Sequence, residues 1–169
     1  MLDGAIKEQQ TATADGKLSR TLLEGVSQKE LSNIITSNGA TTEIYRPEWP
    51  VGPDQIRHMI HAILRANAIS AWHIHEYQTD TIFVTQGSIK LVLFDDRPNS
   101  STRGQVNVFH LSRMRPILTT IPPGIWHGLH NIDNAESSFI NYFDRPYVYS
   151  DPDEWRLRFG SNKIPYQFR

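Results

Sequence analysis

An all-β barrel or sandwich is the fold class that the sequence predicts, on three observations. β-Branched and aromatic runs recur from residue 69 onward: Ala71–Tyr77, Thr81–Thr85, Ile89–Phe94, Val106–Phe109, Ile117–Ile121 and Ser138–Tyr142. Turn residues separate them, at Gln86-Gly87, Asp95-Asp96, Asp96–Ser100 and Pro122-Pro123-Gly124. Third, 169 residues suit one domain with a real core, and no repeat or second domain interrupts the pattern.

In chain order, residues 1–20 are polar and predict a disordered tail ahead of a single domain over 21–169. Ser27 and Glu30 stand at capping-box spacing, compatible with a short helix or a polar loop. Thr41–Arg46 alternates as a strand. Between 54 and 65 two patterns conflict. Ile56, Met59, Ile60, Ile63 and Leu64 fall at helical spacing behind Pro53-Asp54, whereas Ile56, His58, Ile60, Ala62 and Leu64 form one face of a strand. Asp151–Trp155 is expected to close one end with a short helical turn, so short helical segments are anticipated near both termini.

Composition excludes several classes. Seventeen basic residues against eighteen acidic give no electrostatic case for nucleic acid or an anionic membrane. No cysteine is present, so disulfides and thiolate metal sites are excluded. No apolar run approaches the roughly 20 residues of a membrane span, and the N-terminus lacks a signal-peptide pattern. A soluble cytoplasmic protein is expected.

The residues with chemical potential cluster in two stretches. In Trp72-His73-Ile74-His75 the histidines are two apart, so on a strand they share a face. Asp80 follows five residues after His75, and Gly87 closes the stretch. Downstream comes Pro122-Pro123-Gly124-Ile125-Trp126-His127, with Asn131 beyond. His73, His75, Asp80 and His127 are a ligand set for a borderline divalent metal; iron, manganese, nickel and zinc all accept it. Such an ion would act as a Lewis acid or activate water or dioxygen. His58 and His61 read as ordinary sheet residues. Trp72 and Trp126 should face away from their histidine neighbours, into core or a dimer contact. His130, three residues past His127, should face away as well.

The two stretches resemble the paired motifs of cupins, with Asp80 in place of the usual Glu, and Asn67 and Pro116 where each motif carries an early glycine. The resemblance implies a cupin-type jelly-roll barrel, and it selects the strand over 54–65. More specifically, Glu43-Ile44-Tyr45-Arg46, Trp72-His73, Asp96-Arg97 with Ser100, Thr102 and Gly104, Ile121–Gly124 with His127-Gly128, Asp151-Pro152-Asp153 and Ile164-Pro165-Tyr166 resemble the dTDP-4-dehydrorhamnose 3,5-epimerase family over about residues 22–169. That resemblance implies a homodimer acting without a metal on a nucleotide-linked 4-keto sugar, by removing and returning a proton beside the ketone.

By the same resemblance His73 matches the catalytic base and His127 a second active-site histidine. The departures are Ser70 for an arginine, His75 for a glutamine, Asp80 for a lysine, and Asn141 for the acid tyrosine, with Tyr142 adjacent as the substitute acid. Gly160–Lys163 offers no carboxylate partner for the base. Losing a lysine while gaining His75 and Asp80 suggests that a metal takes over the lysine's role. Three readings follow: a metal-assisted epimerase or isomerase using His73, His127 and Tyr142; a metal-dependent cupin of another class, such as a dioxygenase; or a non-catalytic binder of a sugar or small acid.

Overall fold

The computed structural model describes residues 4–7, 10–16 and 19–168, so the expected disordered tail over 1–20 lies partly outside the described residues. Among the described residues, twelve strands run in the order β1 Ser27–Glu30, β2 Ile34–Thr36, β3 Gly39–Thr41, β4 His58–Leu64, β5 Ile69–Ile74, β6 Asp80–Gln86, β7 Ser88–Asp95, β8 Val106–Ser112, β9 Ile117–Ile121, β10 Ile125–Asn131, β11 Ser137–Phe143 and β12 Trp155–Arg156. Two five-stranded antiparallel sheets, β1-β9-β6-β11-β4 and β12-β5-β10-β7-β8, form a jelly-roll sandwich, and β2 and β3 make a separate hairpin. The two sheets are not closed into one barrel.

Alternation along the strands produces three apolar layers. Ile82, Val84, Ile89, Leu91, Leu93, Phe109, Leu111 and Phe139 fill the space between the sheets. Phe83, Leu118 and Tyr142 point outward from the first sheet beneath Val51 and its neighbours. Trp72, Val92 and Phe94 point outward from the second and are covered by Ile164, Tyr166 and Phe168. Both motif tryptophans belong to this last layer, with Trp72 5.0 Å from the Phe168 ring. The C-terminal segment therefore shields the back of the strand that carries the histidines.

The anticipated helical segments do not form; no described residue is helical. Ser27–Glu30 is strand β1, since its four residues pair with Thr120 through Ile117 and Gln28 Nε2 donates to Thr119 Oγ1 at 3.0 Å. A sheet edge supplies more hydrogen bonds than a lone capping pattern. At 151–155 the chain bends and enters β12, and the Asp153 carboxylate accepts the backbone N–H groups of Glu76, Tyr77 and Gln78 at 2.7, 2.9 and 2.9 Å. Segment 58–64 is a strand, paired with β11 along its whole length from His58↔Phe143 to Leu64↔Ser137. The pairing overrides the helical spacing. Asn67, where the motif usually has glycine, holds φ 58° and so supplies the left-handed turn itself.

Candidate active site

A cavity of about 870 Å³ opens between the sheets, lined from β4 by His58 and Ile60 and from β12 by Arg156. Its wall carries Ser70, His73, His75, Asp80 and Asn141, and its apolar part includes Ala62, Leu64, Ile82, Leu129 and Phe139. Residues Arg145 to Tyr149 line it from the β11–β12 connection. The volume is in the range typical of small-molecule sites.

A change of register positions the histidines. On β10, His127 pairs with His73, but Leu129 pairs with Ser70, so three residues of β5 span two of β10. This bulge turns both Ser70 and His73 to the cavity. Gly128 sits opposite it, and a Cβ there would fall 2.5 Å from Ala71 Cβ and 2.9 Å from the Phe168 ring. Gly128→Ala is expected to cost roughly 1–3 kcal/mol by overpacking and to lower turnover, because the shift is transmitted to His73 and His127. Thermal melting checks the first effect. Melting unchanged from the parent would show that the bulge has room to relax.

His73 and His127 meet edge-on across the strands with ring centroids 3.9 Å apart and planes inclined at 63°, and the His75 ring stands 5.5 and 5.4 Å from them. Asp80 opens β6 with its carboxylate buried: Oδ1 accepts from Gln78 Nε2 at 2.8 Å and Oδ2 from Asn141 Nδ2 at 3.0 Å. Oδ2 also faces His127 Nε2 at 3.4 Å and His75 Nε2 at 3.6 Å. The outer nitrogens of both rings are committed: His127 Nδ1 donates to the Ile125 carbonyl at 3.0 Å, and His75 Nδ1 to the Asp153 carbonyl. The Pro122-Pro123-Gly124 turn is tied to the same strand by Gly124 N–H to the His75 carbonyl, 2.8 Å.

Burial opposes the charge on Asp80, but the facing imidazoles of His127 and His75 outweigh it and hold the carboxyl well below its ordinary range. For His75, burial likewise opposes charge and the Asp80 carboxylate prevails, pushing the imidazole up. His73 differs: burial first, then the neighbouring His127, keeps it well below the ordinary imidazole value, and its Nδ1 is buried without a partner. A neutral His73 in a cavity wall is poised to accept a proton.

The structure thus assembles His73, His75, Asp80 and His127, with one ligand-type atom of each within 4.8 Å of the others. His127 forms the layer behind His73 and is 1% exposed. Tyr142, expected as an acid, is misplaced for it. It alternates with Asn141 on β11, turns to the outer layer, and donates its hydroxyl to the Ile44 carbonyl at 2.7 Å. Asn141 occupies the cavity wall instead. His130 faces outward toward Phe168, as its spacing requires. The carboxylate facing the histidines comes from Asp80 rather than from the segment before Ile164. Gln78 and Asp153 were missed by sequence reading. Gln78 carried one legible signal, since two residues before Asp80 on an extended chain it shares that residue's face.

Fold and site together define a jelly-roll protein with a histidine-lined cavity of small-molecule size, and comparison with known proteins gives its family. The family model for dTDP-4-dehydrorhamnose 3,5-epimerase matches residues 20–167. A probable low-salt glycan biosynthesis epimerase, Agl13 of Haloferax volcanii, is 29% identical over 80% of this chain and 87% of its own. The spore coat polysaccharide biosynthesis protein SpsL of Bacillus subtilis is 27% identical over 87% of this chain and 97% of its own. A solved dTDP sugar isomerase from Desulfovibrio desulfuricans superposes with a TM-score of 0.80 at 26% identity, covering 88% of this chain and 94% of that one. The chain belongs to the dTDP-4-dehydrorhamnose 3,5-epimerase family, a family of epimerase-like isomerases.

This membership corrects the metal expectation. Enzymes of this family act without a metal or an organic cofactor, so the divalent ion inferred from His73, His75, Asp80 and His127 is withdrawn, and with it the metal-dependent dioxygenase alternative. The physical reason for the misreading is that buried imidazoles around a carboxylate look alike in sequence whether they grip an ion or share protons. Here the carboxylate is satisfied by the amides of Gln78 and Asn141.

Proposed function

We propose that this protein epimerises a nucleotide-linked 4-keto sugar by reversible proton removal at a carbon beside the ketone. His73 is the base, and His127 is a positioning residue that holds its ring by an edge-on contact. The observation that carries the reading is a half-buried His73, held below the ordinary imidazole pKa by its surroundings, in the wall of a substrate-sized cavity in a chain of this family. A base that is neutral at working pH can take the proton without first losing one. The apolar wall from Ile82 to Phe139 excludes water from the enolate. Arg145 at the edge of the cavity and Arg156 supply positive charge suited to a diphosphate.

The test is incubation with dTDP-4-dehydrorhamnose in deuterated water, followed by NMR of the sugar protons. Deuterium is expected beside the ketone; a sugar recovered fully protonated would leave only the binder reading. The pH dependence follows from His73. Because its pKa lies below the ordinary imidazole value of about 6.5, the acid limb of kcat/KM is expected below that pH, with activity lost as His73 gains a proton. An acid limb above it would assign the base elsewhere. The proposal includes a homodimer, supported by the exposed apolar side chains Ile34 and Ile35 on the β2–β3 hairpin, and light scattering measures it.

A further inference from the structure

We propose that His75 is a further catalytic residue, whose Nε2–H binds the ketone oxygen of the substrate while His73 removes the neighbouring proton. This rests on the reading above, since it takes His73 as the base.

The hydrogen positions follow from the partners. A backbone carbonyl only accepts, so His75 Nδ1, set against the Asp153 carbonyl, carries a hydrogen. His75 Nε2 faces Asp80 Oδ2 at 3.6 Å. A bare lone pair pointing at a carboxylate oxygen is repelled; an N–H is attracted. With hydrogen on both nitrogens the ring is a cation. At 3.6 Å the Nε2–H is too far from Oδ2 to be spent in a hydrogen bond, and each oxygen of Asp80 already accepts from an amide, Gln78 or Asn141. The group is therefore held in place electrostatically, yet free to donate to an oxygen in the cavity that His75 lines.

The other groups around it do not meet this need. His73 on β5 must be neutral to act as base. His127 on β10 shares Asp80 but does not line the cavity. β6 contributes Asp80 and β11 the neutral Asn141. From the approach to β12 come Asp153, whose carboxylate is bound by three N–H groups, and Glu154, which pairs with Arg156. Arg145 donates Nε to the Tyr77 carbonyl at 3.2 Å. His75 is thus a cavity-lining cation beside the base, its ring 5.5 Å from that of His73.

The step balances within the substrate. The C–H bond breaks and its proton passes to His73; its electron pair forms the C=C bond of the enolate. The carbonyl π pair moves onto oxygen, where the His75 N–H stabilises the growing charge. Return of a proton to carbon reverses each movement.

The experiment compares wild type, His75→Gln and His75→Lys for deuterium incorporation into dTDP-4-dehydrorhamnose, with folding monitored by thermal melting. His75→Gln keeps polarity and removes charge; kcat is expected to fall by about 10²–10³, the typical effect of deleting one such donor, with KM little changed. His75→Lys is expected to recover at least part of the loss, which a purely structural role would not allow. Nitrogen-15 NMR of histidine-labelled wild type at pH 7 reads the charge without substrate: an imidazolium signal is expected that disappears in His75→Gln. That signal and the glutamine variant decide the matter where the lysine variant does not fold. A neutral His75 ring, or His75→Gln with undiminished exchange or a loss confined to KM, overturns the role of His75 alone. A wild type that incorporates no deuterium overturns the epimerase reading and the catalytic role together.

Discussion

Replacing His73 with glutamine is expected to lower kcat for epimerisation by roughly 10²–10⁴, the usual contribution of a positioned general base, and to suppress solvent deuterium exchange in parallel. Glutamine fills similar space, so the contact with His127 and the pairing of β5 with β10 should persist. Substrate affinity should change little, because proton transfer is a demand of the transition state rather than of binding. Exchange within tenfold of wild type would mean that another group takes the proton. The nearest alternative, His127, is sealed behind the cavity wall.

The second large effect concerns stability. Asn131 is fully buried at the end of β10, and its Nδ2 reaches the carbonyls of Leu64, Arg65 and Ala135 at 3.0, 2.9 and 2.7 Å. Its Oδ1 accepts from Asp133 N–H at 3.0 Å and Ser137 Oγ at 2.7 Å. One side chain thereby closes the β10–β11 turn onto the β4–β5 connection. Asn131→Ala removes the shared partner of all five groups. Leaving buried polar groups unmet costs about 1–3 kcal/mol each, offset where water enters, so a loss on the order of 3–5 kcal/mol is expected in denaturant melts. The melting temperature should drop by roughly 6–20 °C for a chain of this size. A change under about 0.5 kcal/mol, the level of a neutral surface substitution, would contradict the clasp.

The sequence carried most of the strands because alternation is local, although of the strand expected over Thr41–Arg46 only Thr41, the end of β3, is extended in a sheet. Ile89, Leu91 and Leu93 turn inward and Val92 and Phe94 outward, as a two-residue period demands. The histidine set was legible for the same reason: two residues apart on extended chain, His73 and His75 reach one cavity, even though β5 itself ends at Ile74. What stayed hidden depends on partners far along the chain. Ser27–Glu30 becomes a strand only because β9 presents an edge to it, and no local pattern encodes that. Asp153 looked like part of a helical turn until its carboxylate met the amides of residues 76–78. Tyr142 was one residue out of phase: an adjacent position on a strand is the opposite face, so proximity in sequence to Asn141 carried it away from the cavity. The metal inference failed differently, since the geometry was right and the chemistry assigned to it was not.

Asp153 stitches the segment ahead of β12 to the stretch just past β5 that begins at His75, through its carboxylate and its carbonyl alike. During synthesis most of the sandwich can pair before that residue leaves the ribosome. A nascent chain halted short of it would hold folded sheets around an unbraced His75. Competence for the reaction therefore arrives with the segment that carries Asp153, after the bulk of the sandwich.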